Sequence, residues 1–143
     1  MIDDTSTLTK LGSNKTNYVY EDPNKDILEV FENKFPGRDY EVKLTFPEFT
    51  SLCPKTGQPD FAVIHILYSP DRLCLESKSI KMYFFAYRNF GSFMETITNK
   101  ILNDCVEKCA PRRMKVIGQF NARGGLVIEV SATYFNHEIL RAK

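Results

Sequence analysis

The chain has 143 residues, 43% of them hydrophobic and 13% aromatic, with a net charge of +1. That is one domain's length with enough apolar material for a core, which excludes wholesale disorder. A balance so near neutral excludes a general polyanion binder, no apolar run is long enough to span a membrane, and the acidic, polar start Met1–Thr5 lacks the basic-then-apolar order of a signal peptide.

In chain order, residues 1–15 read as a polar N-terminal arm and 16–143 as a single domain. Asp26 to Lys34 suits a short helix or an irregular packed segment, ended by Pro36-Gly37. Tyr40 to Phe46 alternates as a half-buried strand. The segment from Glu48 to Phe61, stiffened by Pro54 and Pro59 and turned at Gly57, is expected to arch over a sheet edge. Phe61 to Tyr68 reads as a buried strand, Ser69–Arg72 as a turn, and Leu73 to Arg88 as a long strand-like stretch completing a hairpin.

Gly91 to Ala110 is the clearest helix, with Ser92 and Glu95 spaced as a capping box and Pro111 as its stop. Met114–Phe120, a Gly-rich turn at 121–125 and Leu126–Val130 form a second hairpin. The order predicts an α+β domain: an antiparallel sheet with helices packed on one face.

The four cysteines are Cys53, Cys74, Cys105 and Cys109. Their even number could mean two disulfides, but without an export signal a reducing cytoplasm is expected instead. Cys105 and Cys109 are spaced i, i+4, but no matching His or Cys pair completes a tetrahedral set, so no metal is expected. Cys53 is the candidate nucleophile and Asp60 the candidate acid, both held by the proline-stiffened segment; a lone cysteine beside proline is also commonly a small buried hydrophobe. In Glu76–Tyr83 a strand would put Lys78 and Lys81 on opposite faces, which needs a bulge, an edge or two partners. Such lysines could hold phosphates as point charges. Arg112, Arg113 and Lys115 form a small basic cluster that gives only weak support for nucleic-acid binding.

Cys53–Phe61, Glu76–Lys81, Tyr87–Glu95 and Arg123–Gly125 together, in that order, closely resemble the short, single-domain NADPH-dependent 7-cyano-7-deazaguanine reductases. The resemblance covers roughly residues 16–130 and implies the tunnelling fold, assembled as a ring-shaped homo-oligomer, expected as stacked rings, with active sites between subunits. It implies reduction of a nitrile to an aminomethyl group through a Cys53 thioimide with Asp60 as proton donor, in queuosine tRNA modification. On the same resemblance Leu75, Glu76, Ser77, Met94 and Glu95 are substrate-binding, Lys78, Lys81 and Arg123 meet the phosphates of NADPH, and the partner is a nucleobase rather than a membrane or a nucleic acid. Met94 and Phe90 depart from it, standing where the family usually carries histidine; methionine can neither donate a strong hydrogen bond nor shuttle a proton. Two other readings stay open: an archaeosine-type amidine synthase using ammonia on the same thioimide, and a catalytically silent nucleobase-binding protein.

Overall fold

Strand signals open the domain and run further than the alternation suggests. The computed structural model describes residues 18–138, so the arm expected at 1–15 lies outside the described residues. A single 3-10 turn at Lys25–Ile27 and a short strand β1 (Val30–Glu32) occupy the stretch expected to be helical or irregular. Four long strands follow: β2 (Val42–Leu52), β3 (Pro59–Ser69), β5 (Arg113–Arg123) and β6 (Leu126–Phe135). They form one antiparallel sheet in the order β2-β3-β5-β6, and the three-residue β4 (Leu73–Leu75) pairs with β1 as a separate ribbon.

Two expectations give way here. The arch is a tight hairpin: Leu52 pairs with Pro59, the Cys53 N–H bonds Gln58 O at 2.8 Å, and only Pro54–Gly57 remain as loop. The long strand over Leu73–Arg88 is instead β4 followed by helix α1 (Ser77–Phe85), and β3 pairs with β2 and β5 rather than with it. Ile80, Tyr83, Phe84 and Tyr87 recur at helical spacing and are all buried, and the Glu76 carboxylate caps the helix by accepting from Lys78 N–H (2.9 Å) and Ser79 N–H (2.8 Å). A residue able to take two orphan amides starts a helix where a bare β-rich composition reads as strand. The helix also resolves the lysine problem, because Lys78 and Lys81 are three apart and share its exposed side.

Helix α2 (Met94–Cys109) packs on β5 and β6, and α1 stacks on β2 through Phe84 against Phe46, ring centroids 4.7 Å apart. The capping box of α2 does not form. Phe93 is the N-cap and makes no side-chain cap bond, while the Ser92 N–H is taken up by Leu52 O at 3.1 Å. The helix closes with Ala110 in the left-handed region (φ 42°) just before Pro111. Between the helices, Tyr83 Oη bonds both Tyr87 Oη (2.8 Å) and Asp104 (2.7 Å), and Lys100 closes the network on Asp104 at 2.8 Å. The small basic cluster is largely neutralised: Arg112 bonds Asp71 and Pro36 O, and Arg113 lies 3.9 Å from Glu41.

A one-residue bulge interrupts each hairpin. Between Phe46 and Phe49, β2 takes three steps where β3 takes two (Ile64 to Ala62); between Phe120 and Arg123, β5 does the same against β6. Each extra residue reverses which parity of the strand faces the helices. Pro47, without an N–H, sits inside the first bulge, where a missing donor is tolerated.

Packing under α2 is tight at Gly118, where a Cβ would fall 2.7 Å from the Phe120 ring and 2.9 Å from Thr98 Oγ1. Gly118→Ala is therefore expected to destabilise the fold by about 1–3 kcal/mol through overpacking. A lower urea midpoint at unchanged m-value would show it; an unchanged midpoint would refute this account of α2 docking.

Candidate active site

Proline and glycine build the loop between β2 and β3, and the loop builds the environment of Cys53. Pro54 fixes the first loop residue, Gly57 takes φ +69°, and the Gly57 N–H returns to Cys53 O at 2.9 Å. Cys53 itself is 9% exposed, at the end of β2. Around its sulfur the turn and the neighbouring strand place the Thr56 hydroxyl, the main-chain N–H groups of Thr56 and Lys55, and the Arg123 guanidinium. These donors, Thr56 foremost, bring the thiol down to about 6, so the thiolate predominates at neutral pH.

Asp60 lies on β3 directly opposite Ser51 and is 6% exposed. The bulge at Pro47-Glu48 turns Ser51 to the helix side, where Phe49 already packs on Phe84 and Tyr87. The second bulge carries Arg123 to the side of Phe120, and its Nη1 reaches Asp60 Oδ1 at 3.3 Å. Gly124 (φ +60°) and Gly125 (φ +80°) make the two-residue turn that lets Arg123 pair with Leu126 at the hairpin's last rung. Cys53, Asp60 and Arg123 therefore meet in one place. The Ser51 hydroxyl, buried beside them, has no hydrogen-bond partner among the described residues.

Substrate-binding candidates on α2 reach this place through a stitch of main chain. Leu52 N–H bonds Phe90 O (3.0 Å), Ser92 N–H bonds Leu52 O, and Gly91 approaches so closely that a Cβ would lie 3.4 Å from Pro54 Cα. The start of α2 is thereby fastened beside Cys53. Glu95 stands exposed in its first turn, and its carboxylate makes no bond to the described residues, so capping no longer competes for it. Met94 is buried in the core cluster at 7% exposure, and Phe90 packs edge-on to Tyr87, so neither fills the place of an imidazole.

The remaining candidates are not brought together with Cys53 in one chain. Leu75 is buried, its N–H held by Tyr68 Oη at 3.0 Å, at the far end of β3 from Asp60. From residue 60 to residue 68 an extended strand covers roughly 27 Å. Glu76, Ser77, Lys78 and Lys81 start from that far end on α1, and of these Glu76 and Lys78 line a cleft of about 550 Å³ together with Ile27, Glu29, Ser79 and Met82. Lys78 and Lys81 form no ion pair with the described residues, which leaves both ammonium groups available to an anion.

The other thiols differ in kind. Cys105 and Cys109 lie in the hydrophobic core, and burial pushes the Cys105 thiol well up and the Cys109 thiol up to about 12. All four cysteines are free. Sequence reasoning missed Ser51 and Thr56. Thr56 had a signal, an oxygen three residues from Cys53 inside a proline-bounded turn; Ser51 had none, because the bulge decides where it points.

Comparison with known proteins places these features in a lineage. The model of a family described as QueF-like protein matches residues 59–138. The chain is 55% identical over 111 residues to the NADPH-dependent 7-cyano-7-deazaguanine reductase of Chlorobaculum tepidum, spanning 78% of this chain and 95% of that one. It is 53% identical over 133 residues to the protein of that name from Nitratidesulfovibrio vulgaris (93% and 80% covered), and 49% over 132 residues to that of Bacillus cytotoxicus (92% and 79%). Among solved structures, the archaeosine synthase QueF-Like in its apo form aligns with a TM-score of 0.60 at 20% identity, over 68% of this chain and 94% of that one. At that identity the likeness is one of fold.

Cys53 should react with iodoacetamide with a pH midpoint near 6, falling away below it as the thiolate takes a proton. Peptide mass mapping across pH 4.5–9 checks this, and a midpoint above 8 would mean that the donors around Sγ do not act.

Proposed function

The chain belongs to the QueF-like protein family, and from that membership we propose that it catalyses the NADPH-dependent reduction of the nitrile of 7-cyano-7-deazaguanine to an aminomethyl group, a step of queuosine tRNA modification. The observation that carries the reading is the junction of Cys53, Asp60 and Arg123, in which a low-pKa sulfur stands beside a buried carboxyl group.

A nitrile carbon is a modest electrophile, and a thiolate present at neutral pH needs no separate base. The Cys53 sulfur adds to that carbon, one C–N π pair moves to nitrogen, and Asp60 delivers a proton there, leaving a thioimide bound to the enzyme. Collapse of the reduced adduct breaks the C–S bond and returns Cys53 as thiolate, stabilised by the same donors. NADPH, when bound, supplies hydride, one from each of two molecules per nitrile. Lys78 and Lys81 fit its phosphates, being exposed cations of α1 that form no salt bridge among the described residues. Arg123 is occupied with Asp60 and Cys53 in this structure, which favours a role at the reacting groups over the phosphate contact expected for it. Glu95, with a free carboxylate, suits the amidine edge of the deazaguanine, and Glu76 combines its cap with a place beside Ser77 at the second half of the site.

That second half lies at the other end of the sheet, which supports a homo-oligomer whose active sites are completed between subunits. The open face of the sheet and the edge of β6, which has no strand partner among the described residues and exposes Leu126, Val127 and Phe135, offer surface for such assembly. No helix among the described residues is long and apolar enough to cross a membrane, and we place the reaction in the cytoplasm.

Purified protein mixed with 7-cyano-7-deazaguanine alone is expected to gain the mass of one substrate on Cys53, and then to oxidise two NADPH per adduct. Cys53→Ala should abolish the adduct, and Asp60→Asn should slow its formation by about 100-fold or more. An adduct that consumes no NADPH would turn the assignment toward ammonia as second reactant, and the absence of any adduct in folded protein would leave a nucleobase binder.

A mixture of Cys53→Ala with Lys78→Ala/Lys81→Ala subunits, refolded together, should recover NADPH oxidation that neither variant shows alone. No recovery in a mixed oligomer would argue against sites shared between subunits.

A further inference from the structure

Ser51 places a hydroxyl where the fold has no use for one. It lies on the helix-covered face of the sheet, two residues after Phe49, and is 0% exposed. Its Oγ has no hydrogen-bond partner among the described residues. An unpaired buried hydroxyl destabilises a fold, and alanine would fill the same space without that penalty. A polar group kept under such conditions calls for a reason other than packing.

Its neighbours supply the reason. Ser51 stands directly opposite Asp60 in the β2–β3 register and two residues before Cys53. Opposed side chains on one face have Cβ atoms about 5 Å apart, so a rotation about χ1 brings the hydroxyl to the carboxylate. Cys53 and Asp60 retain 9% and 6% exposure, whereas Ser51 retains none. Lying behind them, it has no surface to offer a substrate, and any effect on the reaction passes through a neighbour.

The addition step moves one negative charge. The charge begins on the Cys53 sulfur. The S–C bond forms, one C–N π pair moves to nitrogen, and the Asp60 O–H bond breaks as the N–H bond forms. The charge ends on the Asp60 carboxylate. Arg123 Nη1 meets that group at Oδ1, 3.3 Å away, so the charge on the other oxygen calls for a second donor. A hydroxyl can turn to donate and still keep its own proton. A hydrogen bond that is absent at rest and forms as charge develops favours the transition state over the ground state.

We propose that Ser51 is a positioning residue for Asp60: its hydroxyl, unpartnered at rest, turns to donate to the carboxylate as Asp60 gives up its proton. The inference rests on the roles of Cys53 and Asp60 in the reaction above and deepens that reading.

The test follows adduct formation by intact mass in single turnovers without NADPH, over a range of 7-cyano-7-deazaguanine concentrations. Ser51→Ala should lower the saturating rate by about 10- to 100-fold. The half-saturating concentration should stay within about threefold, because the hydroxyl does not touch the substrate. The urea midpoint of Ser51→Ala should equal or exceed that of the native protein, since the variant loses an unpaired buried hydroxyl. In an Asp60→Asn background no carboxylate charge develops, and Ser51→Ala should slow addition there by less than about twofold more. A native saturating rate in Ser51→Ala overturns the proposal. So does equal slowing in both backgrounds, and so does slowing matched by a lowered urea midpoint, which would make the residue merely structural. No adduct in folded native protein ends this proposal together with the reductase reading, whereas a native adduct indifferent to Ser51→Ala ends this proposal alone.

Discussion

Two extra residues, one in each long hairpin, decide which side chains meet Asp60 on the helix-covered face of the sheet. In a regular strand successive side chains alternate faces, so a single inserted residue reverses the orientation of everything beyond it. The bulge at Pro47-Glu48 brings Ser51 round to the face that carries Asp60, and the bulge after Phe120 brings Arg123 to it. Removing either would send its group to the opposite side of the sheet. Asp60 needs no such device, because β3 runs from Pro59 to Ser69 without interruption and serves as the reference for both neighbours.

Given that placement, environment separates cysteines of one covalent kind. Cys105 and Cys109 sit among apolar side chains that offer nothing to an anion, and burial keeps them neutral. Cys53 is nearly as hidden from solvent, yet it faces a turn whose amides and hydroxyl converge on its sulfur. Burial raises a thiol pKa and donors lower it, and at Cys53 the donors prevail. The loop can offer them because Pro54 and Gly57 fix the main chain without drawing on the amides of Lys55 and Thr56.

The helices serve the site in different ways. The linker ahead of α2 is bonded to both main-chain groups of Leu52, which fastens the end of β2 and fixes the start of α2, with Glu95, near Cys53. Helix α1 begins at the other end of the sheet, under a cap made by Glu76, and presents Lys78 and Lys81 outward. The Cys53 end of the sheet and the start of α1 are therefore separated by the length of β3.

Much of the fold is legible in local patterns of residues. The alternation of Tyr40–Phe46 and Met114–Phe120, the apolar run Phe61–Tyr68 and the periodicity of Phe93–Val106 suffice for the α+β class with helices on one face. Cys53 and Asp60 stand out because proline and glycine in their segment constrain the chain locally. What the residues alone do not show is whatever depends on partners distant in sequence. The stretch Leu73–Arg88 reads as strand by its β-rich composition, yet Glu76 capping and the burial of Ile80, Tyr83, Phe84 and Tyr87 against the sheet make most of it helix. Ser92 and Glu95 spell a capping box, but Ser92 is drawn to Leu52 and leaves Glu95 free. Arg123 reads as an ordinary turn residue until a bulge delivers it to Asp60. Sequence determined which chemical groups the chain holds and which segments are stiff; the tertiary structure decided which of them meet, because facing, register and bulges are set by neighbouring strands rather than by the residues that carry the groups.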